Sequence, residues 1–285
     1  MDYDEQLNQL IKNALAEDIG DGDHSTLSSI KAGVKGKAVL KIKEDGVIAG
    51  ILVAEKIFRF VQPDVLFTAY KKDGELMNYG DVGFTIEADV RTILQAERLV
   101  LNSMQRMSGI ATLTKTYVDK LIGYKTKLLD TRKTTPNFRL LEKEAVRIGG
   151  GVNHRFGLFD MIMLKDNHID YCGGIEMAIN KAYNYVQTVK QGLKIEVETR
   201  NIDDVKRVMA VGKVDRIMLD NFTAKQIKEA IQIIGNLYET EASGGINLNN
   251  LEEYAATGVD YISSGAVIHQ ARSLDLSLKA VIVNK

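Results

Sequence analysis

Residues Arg147 to Asp170 read "RIGGGVNHRFGLFDMIMLKDNHID". Three glycines open the stretch, an apolar run from Met161 to Leu164 follows, and that run stops at Lys165-Asp166-Asn167-His168. A short apolar run bounded by turn residues reads as a buried strand. Here the strand delivers charged groups at its C-terminal end.

The same unit recurs through the second half of the chain. Apolar strands are read at "TKLLDT" (126–131), "DMIMLK" (160–165), "LKIEVE" (193–198), "VDRIMLD" (214–220), "YETEAS" (238–243) and "VDYISSG" (259–265). Helix-like segments lie between them, among them "FRLLEKEAVRI", "GIEMAINKAYNYVQTVK" and "AKQIKEAIQII". Strands alternating with helices imply parallel βα units, and the apolar runs read as strands buried on both faces. Nearly every strand ends in reactive residues: Asp130, Arg132 and Lys133; Lys165, Asp166 and His168; Glu196 and Glu198; Asp220 and Asn221; Glu241 and Ser243; Ser263 and Ser264. In an α/β barrel such ends converge on one mouth. Six strands fall short of a full barrel, so either the barrel is incomplete or a strand is hidden.

Further out, residues between about 27 and 90 carry β-prone runs such as "GKAVLKI" and "DVLFTAY", separated by Asp45-Gly46 and Asp73-Gly74, which predicts a small sheet. Arg91 to Leu121 has helical spacing, with Gly109 as the expected break. The N-terminus reads as an amphipathic helix through Leu7, Leu10, Ile11 and Leu15 rather than a signal peptide, and no run reaches the roughly 20 apolar residues of a membrane span. With 37 basic and 38 acidic residues, no nucleic-acid or membrane-surface charge is written into the composition. One cysteine, Cys172, excludes an internal disulfide and a multi-thiolate metal site, and points to a reducing, cytoplasmic setting.

Two glycine-rich elements, "EASGGI" and "ISSGAVIH", directly follow the last two strands. Loops there often cradle a phosphate with backbone N–H groups, which points to Ser243, Gly244, Gly245, Ser264 and Gly265. Arg132, Lys133, His154, Arg155 and Lys165 collect at the same mouth and suit a ligand with several negative charges. Glu198 and Asp220 suit Mg²⁺ held with a phosphate, stabilisation of positive charge on a sugar carbon, or salt bridges to the basic residues. His154 and His168 lack the close spacing of zinc ligands. Lys165 at a strand end leaves a Schiff-base aldolase open.

Taken together, "EDIGDGDHST", "ERLVLNSMQRMSGIAT", "DTRKTTP", "EKEAVRIGGGVNHRFGLFDMIMLKDNHI", "IEVET", "IMLDN", "EASGGI" and "GVDYISSGAVIH" resemble the quinolinate phosphoribosyltransferase family over nearly the whole chain. The resemblance implies transfer of phosphoribosyl from phosphoribosyl pyrophosphate (PRPP) to quinolinate with decarboxylation. Nicotinate mononucleotide, pyrophosphate and CO₂ result, with Mg²⁺ required, as a step of NAD biosynthesis. It implies an α/β fold with an N-terminal α/β sandwich, residues 1–110 completed by 271–285, and an incomplete, seven-stranded α/β barrel, residues 111–270. It also implies a homodimer with active sites shared across the interface. Carried over, quinolinate binding falls on Arg98 from the partner subunit with Arg132, His154, Arg155 and Lys165. Catalysis on the PRPP side falls on Lys133, Glu198 and Asp220, the last two also as Mg²⁺ ligands, directly or indirectly. Phosphate binding falls on Ser243, Gly244 and Gly265. Two departures stand out, Asn137-Phe138 where the family shows Gly-Leu, and Ile268 where it shows Thr. Asn tolerates a left-handed backbone, so the first is expected to leave the turn intact.

Overall fold

The computed structural model describes residues 2–281; Met1 and residues 282–285, part of the expected sandwich, lie outside the described residues. Along the chain come α1 (Tyr3–Ile19), α2 (His24–Ser29), β1 (Lys35–Ile42), β2 (Gly46–Val47), α3 (Ile51–Val61), β3 (Leu66–Ala69), β4 (Leu76–Met77) and β5 (Val82–Asp89). Then follow α4 (Val90–Lys120), β6 (Lys127–Leu129), α5 (Arg139–Ile148), β7 (Ile162–Leu164), α6 (Asp166–Cys172), α7 (Ile175–Thr188) and β8 (Ile195–Thr199). The chain ends with α8 (Ile202–Val211), β9 (Arg216–Asp220), α9 (Ala224–Ile234), β10 (Glu239–Ser243), α10 (Leu251–Ala255), β11 (Tyr261–Ser263), α11 (Ala266–His269) and β12 (Leu276–Ala280). Two compact units divide it: residues 2–115, 134–150 and 268–281 form one, and 116–133 and 151–267 the other.

The first unit is built on an antiparallel sheet of order β12-β1-β5-β3. The C-terminal strand completes it, running from Ala280 opposite Ala38 to Leu276 opposite Ile42. Leu40, Ile42, Phe84 and Ile86 are fully buried, and Phe84 packs against Phe58 of α3 and Phe67 of β3. Helix α1 opens with a capping box between Asp2 and Glu5 and buries Leu7, Ile11 and Leu15, the stripe its spacing predicts. Helix α4 runs unbroken for 31 residues, contrary to the break expected at Gly109. A Cβ there would lie 1.8 Å from the Arg272 carbonyl oxygen, so glycine admits a crossing backbone and does not bend the helix. The turn at Asn137 is left-handed, with φ 61°, as expected of asparagine there.

The second unit holds six parallel strands in the order β6-β11-β10-β9-β8-β7, one for each of the six runs read from the sequence, with β8 reaching one residue further, to Thr199. A seventh segment is only a bridge, Val152 beside Leu129, extended by hydrogen bonds from Val152 to Leu128 and from Asp130 to Val152. It follows directly on Gly149–Gly151, and beyond it the chain carries no further ladder pairing before the bends at 156–160. In a flat sheet this segment would stand five strand spacings, roughly 24 Å, from β8. Yet His154 Nε2, two residues beyond the bridge, lies 3.0 Å from Glu196 of β8. The sheet is therefore rolled into an incomplete barrel whose seam lies between Val152 and β7, where Arg155 Nη1 donates to the Met161 carbonyl at 3.3 Å.

The strands are not apolar on both faces. Ile195, Val197, Ile217, Leu219, Ala242 and Ile262 are buried at alternate positions. Glu196, Glu198, Arg216, Asp220, Glu239, Glu241, Tyr261 and Ser263 occupy the positions between; His154 Nε2 reaches Glu196 and Glu241, Arg216 lies against Glu241, and Tyr261 against Glu239. Alternation along a strand sends the two sets to opposite faces. The apolar set meets the helices, and the polar set fills the interior.

Candidate active site

At the C-terminal ends of the strands, Lys165 leads out of β7 as the N-cap of α6, and its N–H donates to His168 Nδ1 at 3.0 Å. Lys165 Nζ reaches Glu198 Oε2 at 3.7 Å. Burial raises the Glu198 pKa, Lys165 opposes the rise, and Asp220 and Asp166 add to it. Three carboxylates thus share one region with a single cation close by. Asp220 accepts from Asn221 Nδ2 at 2.6 Å, and Asn221 holds a left-handed φ of 58°.

The loops after β9 and β10 interlock. Asn221 N–H donates to the Ser243 carbonyl at 2.8 Å, and a Cβ on Gly244 would lie 2.2 Å from Asn221 Oδ1. Gly244 has φ +96°, so backbone conformation and space both demand glycine there. Gly245 follows with φ +63° and an exposed surface. Ser264 is buried and its Oγ donates to the Ile246 carbonyl at 3.2 Å, tying the β11 loop to the β10 loop. Gly265 lies next to it, immediately before α11.

On the other side of the mouth, Arg132 is half-buried and Lys133 exposed; Lys133 N–H donates to Thr131 Oγ1 at 3.0 Å. Burial lowers the Arg155 pKa and the neighbouring Arg132 guanidinium lowers it further. Two guanidinium groups set close together suit an anionic ligand. Arg98 lies exposed on α4 in the first unit.

His154 sits deeper, 8% exposed, with Nε2 3.0 Å from Glu196 and 3.2 Å from Glu241. Burial disfavours an imidazolium, but the carboxylates of Glu196 and Glu241 outweigh it and push its pKa up to about 9. Arg155 N–H, however, points at Nδ1 from 2.6 Å. An amide must donate, so Nδ1 keeps its lone pair and the ring proton is on Nε2, between the carboxylates. The raised pKa and this contact disagree about a second ring proton, and the amide decides against it. The trio His154, Glu196 and Glu241 has the mutual spacing of metal ligands. A protonated Nε2 cannot ligate, so the trio is a cluster of close polar contacts in which Nε2 and both Glu196 oxygens make no well-aligned hydrogen bond among the described residues.

Sequence reading assembled the mouth residues but missed Arg216, Glu239 and Tyr261 in the layer below. Arg216 Nη1 donates to Glu241 at 3.0 Å, its Nη2 to Glu239 at 3.0 Å, and its guanidinium lies 4.2 Å from the Tyr261 ring centre. The polar alternation of β8 to β11 was the available signal.

Residues 23–108 match the family model "Quinolinate phosphoribosyl transferase, N-terminal domain", and residues 110–279 match "Quinolinate phosphoribosyl transferase, C-terminal domain". The chain is 43% identical to the rice protein "Nicotinate-nucleotide pyrophosphorylase [carboxylating], chloroplastic" over 96% of its own length and 77% of the relative's. It is 40% identical to "Probable nicotinate-nucleotide pyrophosphorylase [carboxylating]" of Bacillus subtilis, over 98% of this chain and 95% of that one. The crystal structure of NadC from Streptococcus pyogenes superposes with a TM-score of 0.90 at 41% identity, covering 98% of both chains. The chain belongs to the quinolinate phosphoribosyltransferase family.

Proposed function

We propose that this protein transfers the phosphoribosyl group of PRPP to the ring nitrogen of quinolinate and releases the 2-carboxylate as CO₂, giving nicotinate mononucleotide and pyrophosphate for NAD biosynthesis. The observation that carries this reading is the pairing of opposite electrostatics at one barrel mouth. Burial and then the nearby Arg132 lower the Arg155 pKa, while burial, opposed by Lys165 and reinforced by Asp220 and Asp166, raises that of Glu198. A dicarboxylate relieves the first imbalance, and developing positive charge on a ribose carbon relieves the second.

In this reading Arg132, Arg155 and Lys165 hold the quinolinate carboxylates; His154, carried over with that set, has its ring nitrogens turned to the Arg155 N–H and to Glu196 and Glu241, and serves the site by holding Arg155. Lys133 and the loops at Ser243, Gly244, Gly245, Ser264 and Gly265 hold PRPP phosphates. Glu198 and Asp220 stabilise the ribose as pyrophosphate leaves. The same carboxylates fit Mg²⁺, a hard cation that takes oxygen ligands, and bound Mg²⁺ would neutralise pyrophosphate charge. Arg98, exposed on α4, is assigned to the acceptor site of a partner subunit in a homodimer. The division of labour is that of a sandwich, residues 1–110 with 271–285, and a catalytic barrel, 111–270. Among the described residues no helix is long and apolar enough to cross a membrane. A cytoplasmic setting rests on the single free cysteine.

The test is a discontinuous assay with quinolinate, PRPP and Mg²⁺, following nicotinate mononucleotide and CO₂, with nicotinate as the control acceptor. Product from quinolinate alone is expected. No product, or equal product from nicotinate, overturns the reading. For the shared site, mixing Arg98→Ala with Lys165→Ala subunits should restore activity that neither variant shows alone.

A further inference from the structure

Below the mouth, the barrel interior holds a layer of ionisable groups where branched apolar side chains are the usual filling. Glu196 and Glu241 are fully buried, Arg216 is 9% exposed and His154 8%. Burying such groups costs several kcal/mol per ion by general estimates, and well-packed apolar residues are often as stable or better. Stability alone therefore gives the layer no advantage over an apolar core.

Its connections suggest another purpose. Arg216 is oriented from below, by Glu239 on its Nε and Nη2 and by the Tyr261 ring, while Tyr261 Oη donates to Glu239 at 3.2 Å. Its Nη1 reaches up to Glu241, which faces His154 Nε2. His154 in turn fixes the backbone that carries Arg155. Its Nδ1 accepts the Arg155 N–H, and its own N–H donates to Asp130 Oδ1 at 2.8 Å. The Arg155 guanidinium is held only by the Met161 carbonyl and the Met163 sulfur, with no ion pair to aim it among the described residues. Its direction is therefore inherited from the backbone at His154 and Arg155.

We propose that Glu241 and Arg216 are positioning residues of the acceptor site. Through the His154 ring they hold Arg155 where it meets a carboxylate of the acceptor. This rests on the acceptor reading given above, and neither residue touches the substrate.

The test is the paired replacement Arg216→Met with Glu241→Leu, which removes both charges together and leaves neither stranded. The variant is checked for folding by thermal melting, for KM with each substrate, and for the ¹⁵N resonances of the His154 ring. The KM for quinolinate should rise about tenfold, as for loss of one charge-assisted hydrogen bond, with the KM for PRPP at its wild-type value. The Nε2 resonance should shift. A folded variant with unchanged quinolinate KM and unchanged ring resonances overturns the proposal. If the pair does not fold, Glu241→Gln keeps shape and one acceptor oxygen; a smaller rise in the same KM is expected, and no rise overturns the proposal. Should the wild type fail to use quinolinate, the proposed function falls, while the ring resonances still decide whether Glu241 and Arg216 hold His154.

Discussion

Glu196 and Glu198 stand two residues apart on β8, on the same face of the strand, yet they live in different electrostatic worlds. Glu196 is fully buried, and burial, then Glu241, drives its pKa up to about 7 against the pull of His154 and Arg216. Glu198, one pleat nearer the mouth, is 9% exposed, and a lysine at 3.7 Å is its ion-pair partner. The lower layer finds its partners inside the protein: Arg216 lies against Glu239 and Glu241, and His154 Nε2 faces Glu196 and Glu241. The upper layer gathers like charges instead, Glu198 with Asp220 and Asp166 around Lys165, and Arg155 beside Arg132. Depth along one barrel axis separates groups partnered within the strands from groups that the proposed function assigns to ligands. A surplus of like charge in the dry layer would cost folding energy, whereas at the mouth a ligand of opposite charge would offset it.

The comparison breaks most directly at Glu241. Glu241→Ala removes a buried partner of both Arg216 and His154 and should destabilise the fold by about 3 kcal/mol, the low end for breaking a buried pair because Glu239 and Glu196 remain, read as a shift in the urea midpoint. A change within the error of that measurement would mean that the lower layer is not matched as described.

Next come the mouth carboxylates. Glu198→Ala and Asp220→Ala should leave the urea midpoint nearly unchanged while lowering turnover about 10²–10³-fold, the scale of losing one preorganised electrostatic contact. Stability loss as large as that of Glu241→Ala would erase the difference between the layers.

A smaller effect is expected at Gly244. Gly244→Ala forces a residue with a side chain to φ +96° and against Asn221, a backbone penalty of about 1–2 kcal/mol. It should raise the KM for PRPP more than that for quinolinate, and equal rises would detach this loop from phosphate binding.

The smallest effect belongs to an exposed pair outside the barrel interior. Hydrogen bonds from Arg207 depress the Glu176 pKa to about 2 from its ordinary 4.5. A depressed carboxylate contributes stability above its unfolded pKa and loses it as the pH falls through its folded one. Melting of wild type and Glu176→Gln should therefore differ slightly above pH 4.5, and the gap should close as the pH approaches about 2. A gap that widens on acidification would reverse the assignment.

Much of this was legible in the chain. Each of the six parallel strands answers to one run read from the sequence, and the residues at their C-terminal ends gather at one end of the barrel, with Glu196 and Glu241 lying deeper than their strand-end reading implied. The layer beneath was not legible as read. "IEVET" and "RIMLD" look like continuous apolar strands until the alternate positions are separated, and buried polar residues inside a barrel run against the usual filling. Val152 escaped because a bridge of one residue leaves no periodic signal. Gly109 was misread because a glycine that admits a crossing chain looks, in one dimension, like a glycine that ends a helix.

The sequence by itself determined the parallel βα order, the polar strand ends and the glycine loops after the last two strands, because these depend on spacing within a few residues. Only the tertiary structure decided the register in which β12 pairs with β1, Ala280 opposite Ala38 and Leu276 opposite Ile42, and that His154 meets Glu196 and Glu241. Those contacts depend on how the sheets pair and roll. A periodic pattern records which residues share a face of one strand; which strands that face will meet is settled when the sheet closes.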